Sequence, residues 1–368
     1  MNIAILGYGV IGKGVANVLK ENNPYNIKIK KIFDLPIKAK EIGEIFCDNY
    51  LDIINDKEID VIVEAMGGEE LPYKIIKEAL EKGKSVVTSN KEVVSNHLKE
   101  FLDIARIHKA KFLFEASCGG GIPLIGSLVE NSKASEITSI IGILNGTTNY
   151  ILSRVEEGIS FDEALKMAQE NGFAEMDPTN DLTGLDMARK ISILSDLAYD
   201  TYIDPVMVKH KPLSNISVDI INYLNNIGLK VKYCALSKKI DNKIYISVEE
   251  VLVPIHHPLA NVKDEYNMIL INGKTNGLLG FYGKGAGSLP TATAIVSDLV
   301  KIIEDSLKID NKLDNKYEIL ESVDSSNDYF CVTKNKDTLK NEYTIKNIKE
   351  SELLKMKDNL IFYGRIID

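Results

Sequence analysis

Short apolar runs alternate with amphipathic stretches along the N-terminal part of the chain. Ile3–Leu6 reads as a short buried strand, followed by a glycine turn and a helix to about Lys20. Ile27–Phe33, Asp60–Glu64, Ser85–Thr88 and Lys111–Glu115 read as further strands, the last after a helix that ends near Lys109. Strands alternating with helices predict a doubly wound parallel sheet of the α/β class. After about Ser132 the pattern changes. Glu136–Leu144 and Val231–Val253 alternate as strands do, around helices at Phe161–Asn171 and Leu182–Tyr199, which predicts an α+β second domain over 132–288. Leu289–Leu307 reads as one helix after a glycine loop, returning to the first domain, which then comprises 1–131 and 289–315. From Lys316 the chain is polar, with strands near Tyr329–Thr333 and Asn359–Ile367 in a strand–strand–helix–strand order.

Composition narrows the field. A chain of 368 residues is too long for one ordinary core, in line with two domains and a small tail. The net charge of -9 argues against a nucleic-acid partner, which needs a basic surface. Cys47, Cys118, Cys234 and Cys331 stand far apart, with neither zinc-ligand nor redox-pair spacing, as reduced thiols of a cytoplasmic protein would. The apolar start lacks a basic leader, and no apolar run reaches membrane-spanning length, so no membrane partner is expected.

The first chemical motif is Gly7-Tyr8-Gly9-Val10-Ile11-Gly12, directly after a strand and opening a helix. The first glycine permits the tight turn, the second lets a pyrophosphate approach the backbone, and the third allows close helix packing. The helix N-terminus favours the phosphate charge. In this context the motif predicts a Rossmann-type domain binding NAD or NADP. Asp34 ends the second strand, where an acid favours the free ribose hydroxyls of NAD. Lys38 and Lys40 follow, and read either as ordinary surface charges or as contacts to a 2′-phosphate.

The Leu182–Tyr199 helix poses a second question. At about 100° per residue, Asp186 and Lys190 fall in the same half-circle as Leu182, Met187, Ile191, Ile193, Leu194 and Leu197. Arg189, Ser192, Ser195 and Asp196 fall opposite. An acid and an amine four apart on the apolar side form either an ordinary ion pair at its edge or a pair facing a polar cavity. Position alone leaves both readings open.

Several separated segments together resemble the homoserine dehydrogenase family. They are Thr88-Ser89-Asn90-Lys91, Glu115 to Pro123, Leu144-Asn145-Gly146-Thr147-Thr148-Asn149-Tyr150, Ala168-Gln169 with Gly172 to Pro178, Asp181 to Lys190, and Gly283 to Gly287 followed by Thr291-Ala292. Their order and spacing match from Asn2 to about Leu307. The resemblance implies reversible, nicotinamide-dependent hydride transfer between L-aspartate 4-semialdehyde and L-homoserine in threonine, methionine and isoleucine biosynthesis. It implies a homodimer or homotetramer built on the second domain, acting on a small molecule.

It also implies residue roles. Lys190 matches the proton shuttle, and a desolvated lysine amine suits such work. Asp186 would orient Lys190 and help bind substrate, Glu175 would meet the substrate ammonium, and Lys91 would be a second catalytic lysine touching cofactor and substrate. Thr88 and Asn90 match positions beside the nicotinamide, and Gly287 matches a glycine that returns to the cofactor. The segment from Glu115 resembles a monovalent-cation turn, in which the Glu115 carboxylate and the carbonyls of Cys118, Gly120 and Ile122 would hold sodium; read on its own it is a tight turn without an ion. His256 and His257 lack a third ligand nearby and are assigned no chemistry.

Two departures from the family pattern stand out. Phe33 occupies a position where many relatives carry an arginine, which tilts the cofactor towards NAD. The segment 316–368 is short for the regulatory ACT domain of many relatives and reads as a reduced ACT-like unit at most. No kinase domain precedes the dehydrogenase segments, as expected of the monofunctional form. The rivals are another two-domain semialdehyde oxidoreductase, against which the Glu175, Asp186 and Lys190 set speaks, and an inactive cofactor-sensing regulator of the same fold, against which Lys91 and Lys190 speak.

Overall fold

A computed structural model describes residues 1–320, 322, 327–334, 341–356 and 359–367. The chain divides into two compact units. The first comprises 1–136, 192–205 and 283–315, and the second 137–191, 206–282 and 316–368.

The first unit holds a six-stranded parallel sheet. Its strands are β1 (Asn2–Leu6), β2 (Lys28–Phe33), β3 (Phe46–Cys47), β4 (Val61–Glu64), β5 (Ser85–Thr88) and β6 (Phe112–Leu113), in the order β3-β2-β1-β4-β5-β6. The order reverses between β1 and β4, the switch point at which open α/β sheets bind ligands beyond their strand ends. The central strands carry continuous apolar runs because both faces are covered: β4 is buried throughout. Helices Val10–Glu21, Glu70–Glu81 and Lys91–Ile107 lie between strands. The last starts where it does because the Asn90 side chain accepts the Val93 N–H as an N-cap. The returning helix is Ser288–Glu304, close to the expected Leu289–Leu307, and the chain to 315 follows it without a further helix. It closes on Val10–Glu21, where a side chain at Gly14 would come within 3.0 Å of the Ala292 Cβ.

Among the described residues the second unit holds a mixed ten-stranded sheet. Its strands are β7 (Ile137–Ile143), β8 (Lys209–His210), β9 (Leu229–Ile240), β10 (Lys243–Pro254), β11 (Tyr266–Gly273), β12 (Gly277–Lys284), β13 (Glu318–Leu320), β14 (Asn327–Lys334), β15 (Asn341–Ile348) and β16 (Leu360–Ile366). The main path runs β12-β11-β7-β9-β10-β16-β14-β15, with β8 and β13 also paired to β10. The expected single stretch Val231–Val253 is in fact a hairpin: Ile240 pairs with Lys243, and Asp241 takes a positive φ of 52° in the two-residue turn. Ile143, Cys234, Val251, Val253, Leu259 and Leu270 form one core cluster of this unit.

The segment 316–368 groups with the second unit. Its strands continue the second unit's sheet through the β10–β16 pairing at Val251–Arg365 and Leu252–Ile366. A buried ion pair reinforces that seam. Arg365, 7% exposed, donates to the Glu249 carboxylate and, at 3.2 Å, to the Tyr245 hydroxyl. Leaving either charge alone in such a place costs several kcal/mol, about 3–5. Side chains of β14 and the short helix Glu350–Leu354 add a small core of Tyr329, Cys331 and Leu353.

Candidate active site

The glycine turn after β1 has the shape the motif demands. Gly7 has φ +95°, and a Cβ there would meet the Ala65 carbonyl oxygen at 2.6 Å. A Cβ on Gly12 would sit 2.0 Å from the Gly7 oxygen, so only glycine fits. A Cβ on Gly9 would meet nothing within 4 Å, which leaves open space at the start of the Val10–Glu21 helix. That helix has no side-chain cap, and its N-terminal N–H groups suit a phosphate. Tyr8, Val10 and Ile11 complete the turn. The residues therefore fit a nucleotide cofactor.

Asp34 lies beside the turn. Its Oδ2 accepts the Tyr8 N–H and its Oδ1 the Leu35 N–H, each at 2.6 Å. Lys38 does not stand free near it: Lys38 and Lys13 both pair with Glu41, at 3.1 and 2.6 Å. Lys40 is exposed. Gly287, with φ +114°, precedes the returning helix, whose Ser288 Oγ donates to the Val10 carbonyl at 2.9 Å. Ser288 thus ties the start of the returning helix to the start of the Val10–Glu21 helix within the first unit.

At the ends of β4 and β5 a second cluster forms. Thr88 Oγ1 donates to the buried Glu64 carboxylate and accepts the Asn90 N–H at 2.9 Å. Glu64 Oε1 accepts the Met66 N–H at 2.7 Å, and Asn90 Nδ2 donates to the Gly68 carbonyl at 2.8 Å. Burial pushes the Glu64 carboxyl up to about 7, against the pull of its two hydrogen bonds. Lys91 opens the helix that Asn90 caps. Sequence reasoning missed Glu64, which ends an apolar strand; a carboxylate in an otherwise apolar run was the available signal.

Within the second unit a separate cluster surrounds Lys190. The expected helix over Leu182–Tyr199 begins at Leu185, because Gly184 turns the chain with φ +85°. The helix is not two-faced either: Ser192, Ser195 and Asp196, placed opposite the apolar side on the wheel, are fully buried. Asp186 and Lys190 are themselves 5% and 8% exposed. Lys190 Nζ donates to Asp186 Oδ2 and to the Leu144 carbonyl, both at 2.8 Å. The pair is thus a buried one, with a backbone oxygen as a second acceptor.

Asn145 organises the cluster. Its Oδ1 caps the Gly146–Glu156 helix by accepting the Thr148 N–H. Its Nδ2 donates to Asp186 Oδ2 at 2.9 Å and to Asp181 Oδ1 at 2.7 Å. Burial, with the nearby Asp186 charge, raises the Asp181 carboxyl above its ordinary range. Neither Asn145 nor Asp181 carried a role in the sequence reading, although both lie within the family-like segments. Glu175 is exposed.

The cation turn departs from expectation. The Glu115 carboxylate accepts three backbone N–H groups and the Lys301 ammonium. A carboxylate with four donors has no lone pair directed to an added ion, so the Glu115 side chain does not fit as the expected sodium ligand beside the carbonyls of Cys118, Gly120 and Ile122.

Known proteins resemble the chain along most of its length. Residues 7–115 match the family model described as "Homoserine dehydrogenase, NAD binding domain", and residues 123–300 match "Homoserine dehydrogenase". The homoserine dehydrogenase of Bacillus subtilis is 37% identical over 83% of this chain and 73% of its own. That of Synechocystis is 36% identical over 82% of this chain and 73% of its own. A crystal structure of a homoserine dehydrogenase from Thiobacillus denitrificans superposes with a TM-score of 0.88 at 28% identity, covering 100% of this chain and 98% of that one. A hyperthermophilic archaeal homoserine dehydrogenase in complex with NADPH superposes with a TM-score of 0.71 at 25% identity, covering 83% of this chain and 98% of that one.

Proposed function

This chain belongs to the homoserine dehydrogenase family, and from that premise we propose which of its residues carry the reaction. The activity is reversible NAD(P)-dependent hydride transfer between L-aspartate 4-semialdehyde and L-homoserine, an oxidoreductase reaction at a CH–OH group in amino-acid biosynthesis. The observation that carries the assignment of roles is the buried Lys190 ammonium, held by Asp186 and the Leu144 carbonyl.

When bound, the nicotinamide supplies or receives the hydride. The side chains do the rest. Lys190 Nζ gives a proton to the oxygen developing on the aldehyde carbon, and takes it from the homoserine hydroxyl in reverse. Asp186 holds that amine in place, and Asn145 holds Asp186. Glu175 and Asp181 offer negative charge to the substrate ammonium. Lys91 adds a second ammonium for substrate and cofactor, while Thr88 and Asn90 shape the nicotinamide position. Most of the rate enhancement comes from holding the carbonyl in a reactive geometry and from well-placed proton transfer.

For the cofactor we favour NAD over NADP. An acid follows β2, and the nearby Lys38 and Lys13 are both engaged by Glu41. The archaeal relative was solved with NADPH, but a 2′-phosphate here would approach the Asp34 carboxylate. The protein is taken to form a homodimer or homotetramer: β12 ends the second unit's sheet and exposes Leu278 and Tyr282. A cytoplasmic location suits its four free cysteines, and no helix among the described residues is long and apolar enough to cross a membrane.

The test is Lys190→Ala. Turnover of homoserine should fall about 10²–10⁴-fold, with cofactor affinity, read by nicotinamide fluorescence, nearly unchanged. Near-normal turnover removes the proton-shuttle role.

A further inference from the structure

Glu115 follows β6 and stands before the helix Ile125–Ala134. Its Oε1 accepts the N–H groups of Leu124 and Ile125 at 2.7 and 2.6 Å, and its Oε2 accepts that of Gly126 at 3.0 Å. The carboxylate thus caps that helix from a distance in sequence and meets its positive end. Oε2 also accepts from Lys301 Nζ at 2.8 Å. Lys301 comes from the Ser288–Glu304 helix, and its amine lies 3.0 Å from Asp298 Oδ1 as well. Asp298 Oδ2 accepts the Glu115 N–H at 2.8 Å, which closes a ring of contacts within the first unit.

The charge balance shows what the ammonium does. The side chains of Glu115 and Asp298 are 3% and 1% exposed. Two carboxylates at such depth repel each other and lack water, so they require a positive partner between them. Burial pushes the Asp298 carboxyl up to about 7 even with Lys301 beside it. Burial pulls the Lys301 amine down, but the two acids outweigh it and raise it on balance. Gly126 makes room: a Cβ there would stand 3.2 Å from Glu115 Oε2 and 3.3 Å from Lys301 Nζ. A monovalent metal ion at Glu115 Oε2 would share that oxygen with the ammonium, at a separation where like charges repel strongly out of water.

We propose that Lys301 is the resident cation of this turn: its tethered ammonium takes the place beside Glu115 and Asp298 that a monovalent metal ion would otherwise hold. The turn is therefore complete without an added ion. This concerns the integrity of the first unit and stands apart from the assignment of Lys190 and its neighbours.

Thermal unfolding of the full chain at matched ionic strength in NaCl, KCl and choline chloride tests it. The wild type should give one Tm in all three salts, and should not broaden the ²³Na resonance in a way that K⁺ competes away. Lys301→Met should unfold about 5 °C or more lower in choline, and should recover part of that loss saturably with Na⁺ or K⁺. A wild-type Tm that climbs saturably with Na⁺ or K⁺ but not choline overturns the proposal, as does K⁺-sensitive ²³Na broadening. So does a Lys301→Met loss equal in all three salts. If that variant does not fold, the two wild-type measurements decide.

Discussion

Asn145 and Asp186 lie 41 residues apart in sequence, yet the Asn145 amide donates to the Asp186 carboxylate at 2.9 Å. The same amide caps a helix through its other atom. Helix start and the place of the Asp186 carboxylate are therefore set by one side chain. Asn145→Ala should lower stability by about 1–2 kcal/mol, from the lost cap and the hydrogen bonds left unmade. It should lower kcat by about 10–100-fold as Asp186 and Lys190 lose their reference point. Urea unfolding and steady-state kinetics read the two effects, and an unchanged kcat would remove Asn145 from the positioning role.

Gly184 separates a short turn of helix from the Leu185–Tyr199 helix. A Cβ there would lie 2.4 Å from the Tyr233 hydroxyl, on a backbone with φ +85°. Gly184→Ala combines left-handed strain with a clash against a buried phenol. A loss of about 2–4 kcal/mol is expected, seen as a lower urea midpoint with an unchanged m value. A midpoint within error of the wild type would show that Tyr233 yields freely.

Glu64 makes stability depend on pH. Its carboxyl is raised from 4.5 to about 7 by burial. A group raised on folding stabilises fully below its unfolded value, and that contribution is lost as pH rises through the folded one. The loss is on the order of 3 kcal/mol once pH exceeds about 7. Asp298, also raised to about 7, adds to the same slope, so the informative quantity is the difference between wild type and Glu64→Gln. The variant should lose less stability between about pH 5 and pH 8. Parallel curves for the two proteins would mean that Glu64 is charged and accommodated in the fold.

Cofactor choice turns on Asp34 and its neighbours. The wild type should show the larger kcat/KM with NAD. Asp34→Asn should move the ratio towards NADP by about tenfold, or about 1.4 kcal/mol. The variant removes the negative charge and keeps an acceptor for the Tyr8 N–H, while giving up the one for the Leu35 N–H. A wild type that prefers NADP would reverse this reading and bring Lys40 forward as the phosphate contact.

What could be read from the sequence was local. Gly7, Gly9 and Gly12 reveal themselves by spacing, because the turn is made of consecutive residues. Asp186 and Lys190 stand out as a pair because four residues make one helical turn, but their position alone leaves an ordinary ion pair and a cavity-facing pair both open. The limits lay where partners are distant. Nothing near Ser192, Ser195 or Asp196 indicates that both sides of their helix are covered, since burial depends on what packs there. Asp181 and Asn145 acquire their meaning only where they meet. Glu115 looked ready for a metal ion because its competitor, Lys301, arrives from a helix near the other end of the chain. The hairpin hidden in Val231–Val253 lacked an Asn-Gly or Asp-Gly signal, and Asp241 turned the chain instead.

The β10–β16 seam has a further consequence for how the chain comes off the ribosome. The first unit has all its residues once Asn315 has emerged, whereas the second waits for β16 to reach β10. During synthesis the nucleotide half can therefore mature first, and the half bearing Lys190 must keep the flank of β10 exposed until Arg365 appears to neutralise Glu249.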